Sequence, residues 1–185
     1  GSNAILNNVT FKNNYAEEDG GGLYGWKSSP TLNNVYFYNN TANGNGGGMY
    51  YYNTCKPVIT NAIFMYNTSN AYFGGFGLER ESEAVVTNVL FARNYAVNDG
   101  GGLGALGSNT AMILTNVTVA NNYTKNGTGG GGYDQGSTSK IRNTIFAGNY
   151  PDEVNIAAAL AMLVKHSIVG DTYLEDGSVN PYGTV

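Results

Sequence analysis

Short apolar segments, each interrupted by asparagine, recur along the chain at a nearly constant interval. The six clearest copies read LNNVTF, LNNVYF, ITNAIF, VTNVLF, LTNVTV and IRNTIF, and a degenerate seventh reads VKHSIV. Their last residues are Phe11, Phe37, Phe64, Phe91, Val119, Phe146 and Val169. Successive copies lie 26, 27, 27, 28, 27 and 23 residues apart. A fixed period in this range is the signature of a repeat architecture.

Asparagine and glycine hold fixed places within the repeat. Three residues before the final apolar residue stand Asn8, Asn34, Asn61, Asn88, Asn116, Asn143 and then His166. Three residues after it stand Asn14, Asn40, Asn67, Asn94, Asn122 and Asn149. Glycine runs follow at 20–22, 46–48, 74–75, 100–102 and 129–132. Both residue types favour turns, so this spacing predicts a sharp bend at the same places in every unit.

Each unit reads as short extended pieces rather than as a helix. In the second unit the pieces are the pair around Leu32 and the segment VYF, while GGLYGW precedes them. Asparagine and glycine at these positions would break a helix. Three strands per coil, each stacked on its counterpart in the next coil, predict an all-β parallel β-helix of about seven coils of 26–28 residues. Leu32, Val35 and Phe37 should then face the interior, and the asparagines should form ladders.

The composition narrows the possible functions. The net charge is −4 and no basic run occurs, so we expect no nucleic-acid partner. No apolar stretch reaches the ~20 residues of a membrane span.

Residues 1–4, GSNA, resemble the remnant of an expression tag. We therefore expect the chain to be part of a longer protein with flanking domains.

The regular repeat, residues 5–150, resembles the repeats of polymorphic outer-membrane proteins, which are right-handed β-helix domains of bacterial surface proteins. Their marks are FxxN and GGA[ILV]. This chain has FKNN, FYNN, FMYN, FARN and FAGN, with VANN as a departure. It also has GGGLY, GGGMY and GGGLG, where Leu or Met stands at the family's alanine position. The resemblance implies a bacterial, extracellular or cell-surface location and a role in adhesion, while more distant β-helix relatives are polysaccharide lyases and hydrolases.

Residues 151–185 depart from the regular repeat and form an irregular final coil and tail. One interpretation is a short helix over residues 156–164 that caps the solenoid. The other is a compressed coil with VNI and KHSIVG as strands. The 23-residue spacing and the place of His166 in the asparagine row favour the coil.

Aromatic residues form the best candidate ligand-binding surface. Alternation along the glycine-led strands sends Tyr24 and Trp26 outward, with Tyr50 and Tyr52 directly above them in the next coil. Exposed aromatic rings suit contact with a glycan or a protein. The alternatives are that other coils or a flanking domain cover the patch, or that these are ordinary outward-facing strand residues.

Carboxylates offer two weaker candidate sites. Glu17, Glu18 and Asp19 could hold calcium, but the corresponding loops of the other coils do not sustain the charge. A solvated turn is the favoured interpretation, and we predict no metal and no cofactor. A catalytic pair needs two carboxyl groups ~5 to 9.5 Å apart. Glu79 and Asp134, two coils apart, are a conceivable pair that no other feature supports.

Three functional hypotheses follow. The first is a non-catalytic secreted or cell-surface module that contacts glycans or host surfaces. The second is a polysaccharide-active lyase or hydrolase, and the third is a purely structural stalk. The isolated His166 indicates a turn rather than a catalytic base, and Cys55, the only cysteine, indicates an incidental thiol.

Overall fold

The computed structural model describes residues 3–157, 163–169 and 172–174, and these contain 23 strands and no helix. In chain order the strands are β1 (Ile5–Asn7), β2 (Thr10–Lys12), β3 (Tyr15–Ala16), β4 (Leu23–Trp26), β5 (Thr31–Asn33), β6 (Tyr36–Tyr38), β7 (Thr41–Ala42), β8 (Met49–Tyr52), β9 (Val58–Met65), β10 (Thr68–Ser69), β11 (Phe76–Glu79), β12 (Glu83–Ala92), β13 (Tyr95–Ala96), β14 (Leu103–Leu106), β15 (Ala111–Ala120), β16 (Tyr123–Thr124), β17 (Gly132–Gln135), β18 (Lys140–Arg142), β19 (Ile145–Ala147), β20 (Val154–Ala157), β21 (Leu163–Lys165), β22 (Ile168–Val169) and β23 (Thr172–Leu174).

The strands form three parallel sheets that the chain visits in turn. Sheet A contains β1, β2, β5, β6, β9, β12, β15, β18, β19, β21 and β22. Sheet B contains β3, β7, β10, β13 and β16, and sheet C contains β4, β8, β11, β14, β17, β20 and β23. Each strand pairs in parallel with its counterpart one coil further on, so that Phe11, Phe37, Phe64 and Phe91 lie in register. This arrangement confirms the predicted parallel β-helix.

The number of complete coils is smaller than predicted. Coils are numbered here from the N-terminus, each beginning with its first strand of sheet A. Five coils have strands in all three sheets, whereas sheets A and C continue for seven rungs within the described residues. The two ends of residues 156–164 belong to the strands β20 and β21. This agrees with the compressed coil and contradicts a helix at these two ends. Residues 158–162 lie outside the described part of the chain.

Two details of the strand assignment differ from the sequence prediction. The pair around Leu32 and the segment VYF belong to one sheet, because the bend at Asn34 turns the chain without starting a new sheet. In coils three, four and five the two pieces are continuous, so that each of these coils has one long strand in place of two. These strands are β9, β12 and β15. The third strand of each coil is instead a two-residue strand in sheet B, such as β7. Two residues are too few for a period to be visible in the sequence.

Left-handed backbone corners explain the fixed asparagines and glycines. All residues with positive φ except Thr54, Glu81 and Asn109 fall into four rows. Asparagine and glycine dominate these rows because other L-residues adopt this conformation at a cost. The rows are Asn8, Asn34, Asn61, Asn88, Asn116, Asn143 and His166; Asn13, Asn39, Tyr66, Arg93, Asn121 and Gly148; Gly20, Gly46, Phe73, Gly100 and Gly129; and Lys27, Asn53, Arg80, Gly107 and Gly136. The second glycine of each run serves close approach, since a Cβ at Gly21 would lie 2.3 Å from the Gly47 carbonyl oxygen.

The interior is a set of stacks that run along the axis of the solenoid. The ring centroids of Phe11, Phe37, Phe64 and Phe91 are 4.8, 4.5 and 4.7 Å apart, and the rings are nearly parallel. Leu32 and Val35 are fully buried, as predicted. Burial of these stacks, at about 25 cal/mol per Å² of apolar surface, is the main stabilising contribution.

A second, polar stack lies inside the coil wall and is made of asparagines, hereafter the inner ladder. Its members are Asn14, Asn40, Asn67, Asn94, Asn122 and Asn149. The backbone N–H and the Nδ2 of Asn67 donate to Oδ1 of Asn94 at 3.0 and 2.9 Å, and Nδ2 also donates to the Phe37 carbonyl at 2.9 Å. Its own Oδ1 accepts the same pair of bonds from Asn40. Every polar group of the side chain is thereby satisfied while it is fully buried.

The inner ladder ends on a carboxylate. Glu153 is buried, and its Oε2 accepts hydrogen bonds from the backbone N–H and the Nδ2 of Asn149 at 3.2 and 2.5 Å. Its Oε1 accepts from the Gly148 N–H at 2.8 Å. Glu153 therefore takes the place that the next asparagine would occupy, and it can do so because a carboxylate accepts several bonds without needing to donate one.

The inner ladder should contribute far more to stability than the asparagines at the outer corners. We predict that Asn67→Ala lowers the free energy of unfolding by about 3 kcal/mol or more, because it leaves two buried donors of Asn40 and the Phe37 carbonyl without partners. The control Asn61→Gly changes an exposed corner residue with φ of 54° and should cost less than about 1 kcal/mol. Urea denaturation followed by circular dichroism measures both, and equal losses would contradict the prediction.

Candidate functional site

The outer face of sheet C carries a cluster of aromatic side chains in coils one to three, hereafter the aromatic patch. It consists of Tyr24, Trp26, Tyr50, Tyr52 and Phe73. β4 and β8 pair in register, so that Tyr24 lies beside Tyr50 and Trp26 beside Tyr52. The ring centroids of Tyr24 and Tyr50 are 6.1 Å apart, and those of Tyr50 and Tyr52 are 6.4 Å apart. The four residues singled out from the sequence therefore form one cluster.

The members of the aromatic patch differ sharply in exposure. Tyr24 is 48% exposed, Trp26 is 52% exposed and Tyr52 is half-buried. Tyr50 is only 2% exposed, so the expectation that it is an exposed contact residue is wrong. The ring of Phe73 covers it, with centroids 6.5 Å apart. The surface available to a partner is therefore formed by Tyr24, Trp26 and Tyr52, and the buried ring of Tyr50 packs beside those of Tyr24 and Tyr52.

Tyr50 is also held by a polar contact. Its hydroxyl forms a hydrogen bond with the side chain of Glu79. Burial, followed by the nearby charge of Glu79, raises the pKa of Tyr50 far above its ordinary value, so the hydroxyl stays protonated and donates. Burial likewise raises the pKa of Glu79, while the bond from Tyr50 opposes that shift.

Phe73 is the part of the cluster that sequence reasoning missed. It has φ of 63° and stands in the corner row that glycine holds in the neighbouring coils. Its ring lies over Gly77 and Gly104, where an added Cβ would come within 2.3 Å of it. The ring thus fills the space left by two missing outward side chains. The signal was present in the sequence as an aromatic residue in place of the first glycine of a run.

Two cations lie over rings of the aromatic patch. The Lys27 Nζ is 4.8 Å from the centroid of the Trp26 ring, and the Arg80 Cζ is 5.2 Å from that of the Tyr52 ring. Both distances are within the range of cation–π attraction. Lys27 and Arg80 occupy equivalent left-handed corners two coils apart, which places them along the same edge of sheet C.

The acidic segment 17–19 adjoins the aromatic patch, and one of its residues has a structural role. The Asp19 Oδ1 accepts a hydrogen bond from the Asn45 backbone N–H at 2.6 Å. Asp99 does the same for the Thr128 N–H, also at 2.6 Å, three coils further along. Within the described residues, no group of three or more His, Cys, Asp or Glu side chains is placed to hold a metal ion. The metal-free interpretation of this turn stays a prediction.

The hypothetical catalytic pair is separated by the sheet itself. The register aligns Asp134 with Leu78 through Ala105, and Gln135 with Glu79 through Leu106. Adjacent residues of a strand point to opposite faces. Asp134 therefore faces the interior and Glu79 the outside, so the two carboxylates cannot act on one substrate.

Asp134 is a buried carboxylate inside coil five. It is 7% exposed and accepts a hydrogen bond from the Ser137 hydroxyl, whose oxygen is 3.1 Å from that of Ser139. It borders a cavity of about 30 Å³, which has formed where Gly132 replaces the larger residues of earlier coils. Burial raises the pKa of Asp134, and the bonds from the two serines reduce that shift.

The single cysteine is built into a turn. Cys55 is fully buried, and its Sγ lies 3.3 Å from the Tyr52 carbonyl and accepts from the Ser28 N–H at 3.3 Å. The Ser82 hydroxyl occupies the equivalent place in the next coil and accepts from the Cys55 N–H at 3.0 Å. The thiol thus fills a serine position, while His166 lies at an exposed corner.

Comparison with known proteins identifies the family. Residues 1–116, more than half of the chain, match the family model of the right-handed beta helix region. The chain belongs to the right-handed β-helix family. Neither the curated proteins nor the solved structures that were compared with it include a match.

Membership in the right-handed β-helix family fixes the hand of the coil and agrees with the all-β, parallel arrangement of the described residues. The family description names a fold and no activity. No helix in the described part of this β-helix has the length and the apolar run that crossing a bilayer requires.

Asp134 should make the stability of the β-helix pH-dependent. The pKa of Asp134 is raised in the folded state above its ordinary value of 3.8. At pH values between these two pKa values the folded chain therefore binds more protons than the unfolded chain. Its stabilising contribution is complete below the ordinary pKa and is lost as the pH rises through the folded-state pKa. We predict that Asp134→Asn reduces this fall in the free energy of unfolding. Urea denaturation across pH 3.5–7.5 measures it.

A matched control is Glu83→Gln, which removes an exposed carboxylate from β12. Asp152 and Glu79 also have pKa values raised by burial and should retain their part of the pH dependence in both variants. An unchanged pH profile in Asp134→Asn would contradict the inferred burial of this carboxylate.

Proposed function

We propose that this chain is a non-catalytic β-helix module of a secreted or surface-located bacterial protein, and that it makes adhesive contact with a glycan or a protein through the aromatic patch. The observation that carries the proposal is the pair of half-exposed rings, Tyr24 and Trp26, side by side on one rigid sheet. Large exposed rings that cluster on a soluble surface mark an interaction site.

The construction beneath the rings supports a binding role. The ring of Tyr24 packs against the buried Tyr50, which in turn packs against Phe73 and is fixed by its hydrogen bond with Glu79. An aromatic side chain has only two χ angles, and a supported one loses little conformational freedom when a partner binds. A preorganised surface of this kind converts more of its buried area into affinity.

The non-catalytic part of the proposal has separate support. The carboxylates Glu79 and Asp134, which were the candidates for a glycosidase-like pair, face opposite sides of sheet C. Asp134 is instead engaged with Ser137 in the interior.

The proposal predicts that binding depends on the exposed rings. The double variant Tyr24→Ala/Trp26→Ala should lose binding on a combined glycan and peptide array by at least about tenfold, since each ring contributes on the order of 1 kcal/mol or more at an interface. The control Tyr36→Ala/Tyr123→Ala removes two other exposed rings, from sheets A and B. The control should bind as the unaltered chain does.

Two results would contradict this function. Equal losses in both double variants would show that the aromatic patch is not the contact surface. Absence of binding to every array component would favour the purely structural stalk, for which the continuous stacks and ladders would be sufficient.

A further inference from the structure

We infer that the aromatic patch recognises the positively charged side chains of a protein partner, presented by an extended lysine- or arginine-containing segment. The inference rests on the proposed contact function and names the chemistry of its partner.

The rings already hold cations. Lys27 and Arg80 are both exposed side chains, and each lies over a different ring of the patch, Trp26 or Tyr52. Their positions show that these two ring faces are accessible to an ammonium or a guanidinium group. A lysine or arginine of a partner can bind to the same ring faces when it displaces the charged ends of Lys27 and Arg80.

Carboxylates lie near two further rings of the patch, those of Tyr24 and Tyr50. Partial burial raises the pKa of Tyr24, and the charges of Asp19 and Glu18 raise it further. Glu79 and Asp19 act in the same direction on Tyr50. Around the patch the carboxylates Glu18, Asp19, Glu79 and Glu81 outnumber the two cations, Lys27 and Arg80, in a chain whose net charge is −4. This excess of negative charge attracts a basic segment and repels an acidic polysaccharide.

A groove continues from the patch along the axis. The outward row that begins with Trp26 and Tyr52 continues through Glu79 to Leu106. A groove of about 380 Å³ opens at this place, lined by Glu79, Arg80, Glu81, Leu106, Gly107 and Ser108. Two carboxylates and a single guanidinium line it, so an extended segment that leaves the rings meets further negative charge.

A neutral glycan is the competing ligand. It could stack on Tyr24 and Trp26 and donate hydroxyl hydrogen bonds to carboxylates, but it carries no charge for Asp19 and Glu79 to attract. Charge complementarity therefore favours the basic segment, and the salt dependence of binding separates the two, because salt screens charge pairs at an exposed surface.

Trp26 is the only tryptophan and is one of the exposed rings of the proposed contact, so its fluorescence reports binding directly. The chain would be titrated with the peptide KGKGKGK, with EGEGEGE and with a neutral β-glucan oligosaccharide. We expect a saturable change with the lysine peptide alone, and an apparent dissociation constant that rises at least about fivefold between 50 and 300 mM NaCl.

A pair of matched variants tests the location. Asp19→Asn and Asp99→Asn make the same change in two turns of the same design. Asp19 adjoins the exposed Tyr24, whereas Asp99 lies in coil four, beside the buried Phe73 and two coils beyond the last exposed ring of the patch. Asparagine can keep the turn hydrogen bond in both. We expect the lysine peptide to bind about threefold to tenfold more weakly to Asp19→Asn and unchanged to Asp99→Asn.

A third variant asks whether the ring face is the binding element. Lys27→Asn removes the cation that the chain itself places over Trp26. Asparagine is also the residue at the equivalent corner of coil two, Asn53. The lysine peptide should then bind more tightly, because its competitor over Trp26 is gone. A weaker or unchanged affinity would overturn the role of the ring face.

The remaining outcomes distinguish the inference from the function beneath it. Binding of the neutral oligosaccharide without the peptide would overturn the inference and leave the contact function standing. Equal weakening by Asp19→Asn and Asp99→Asn would show that the peptide follows the overall negative charge, and would overturn the inference. Failure of every ligand here, together with failure on the arrays, would overturn both.

Discussion

The structure depends on the inner ladder of asparagines, because it fixes the register of each coil on the next. The Oδ1 of one asparagine accepts two hydrogen bonds from the asparagine of the preceding coil, one from the backbone and one from Nδ2. A coil shifted by one residue would bury unpaired amides, each at a cost of about 1–3 kcal/mol. The apolar stacks supply most of the stabilisation, and a one-residue slip would also turn their side chains outward. The ladder adds hydrogen bonds that only the native register satisfies.

The register in turn determines what the outer surface can be. Once the interior positions repeat every coil, the outward positions fall into straight rows. Successive residues within one row are about 4.8 Å apart. Substitutions in such a row act on their neighbours above and below. Gly77 and Gly104 leave a space in the row of Tyr24 and Tyr50, and Phe73 fills it from an adjacent corner. The aromatic patch is therefore a local variation on a surface whose geometry the interior has already set.

The sequence predicted most of the fold, because the interior requirements repeat and are visible in one chain. Phe37 in the stack and Asn40 in the ladder could both be identified from their spacing. The number of complete coils and the two-residue strands of sheet B could not be predicted. The sequence repeat looks the same whether a coil has strands in all three sheets or only in sheets A and C. The burial of Tyr50 was also missed. It depends on Phe73, 23 residues away, and a residue that breaks the repeat cannot be placed by the repeat.

Hydrogen exchange of the asparagine side chains, followed by NMR on the ¹⁵N-labelled chain, tests the inner ladder most directly. The Nδ2 protons of Asn40, Asn67 and Asn94 are buried in two hydrogen bonds each. We predict that they exchange at least about tenfold more slowly than those of the exposed Asn61 and Asn88. Equal exchange rates in the two groups would contradict the account, because the coils would then be held in register by something other than the ladder.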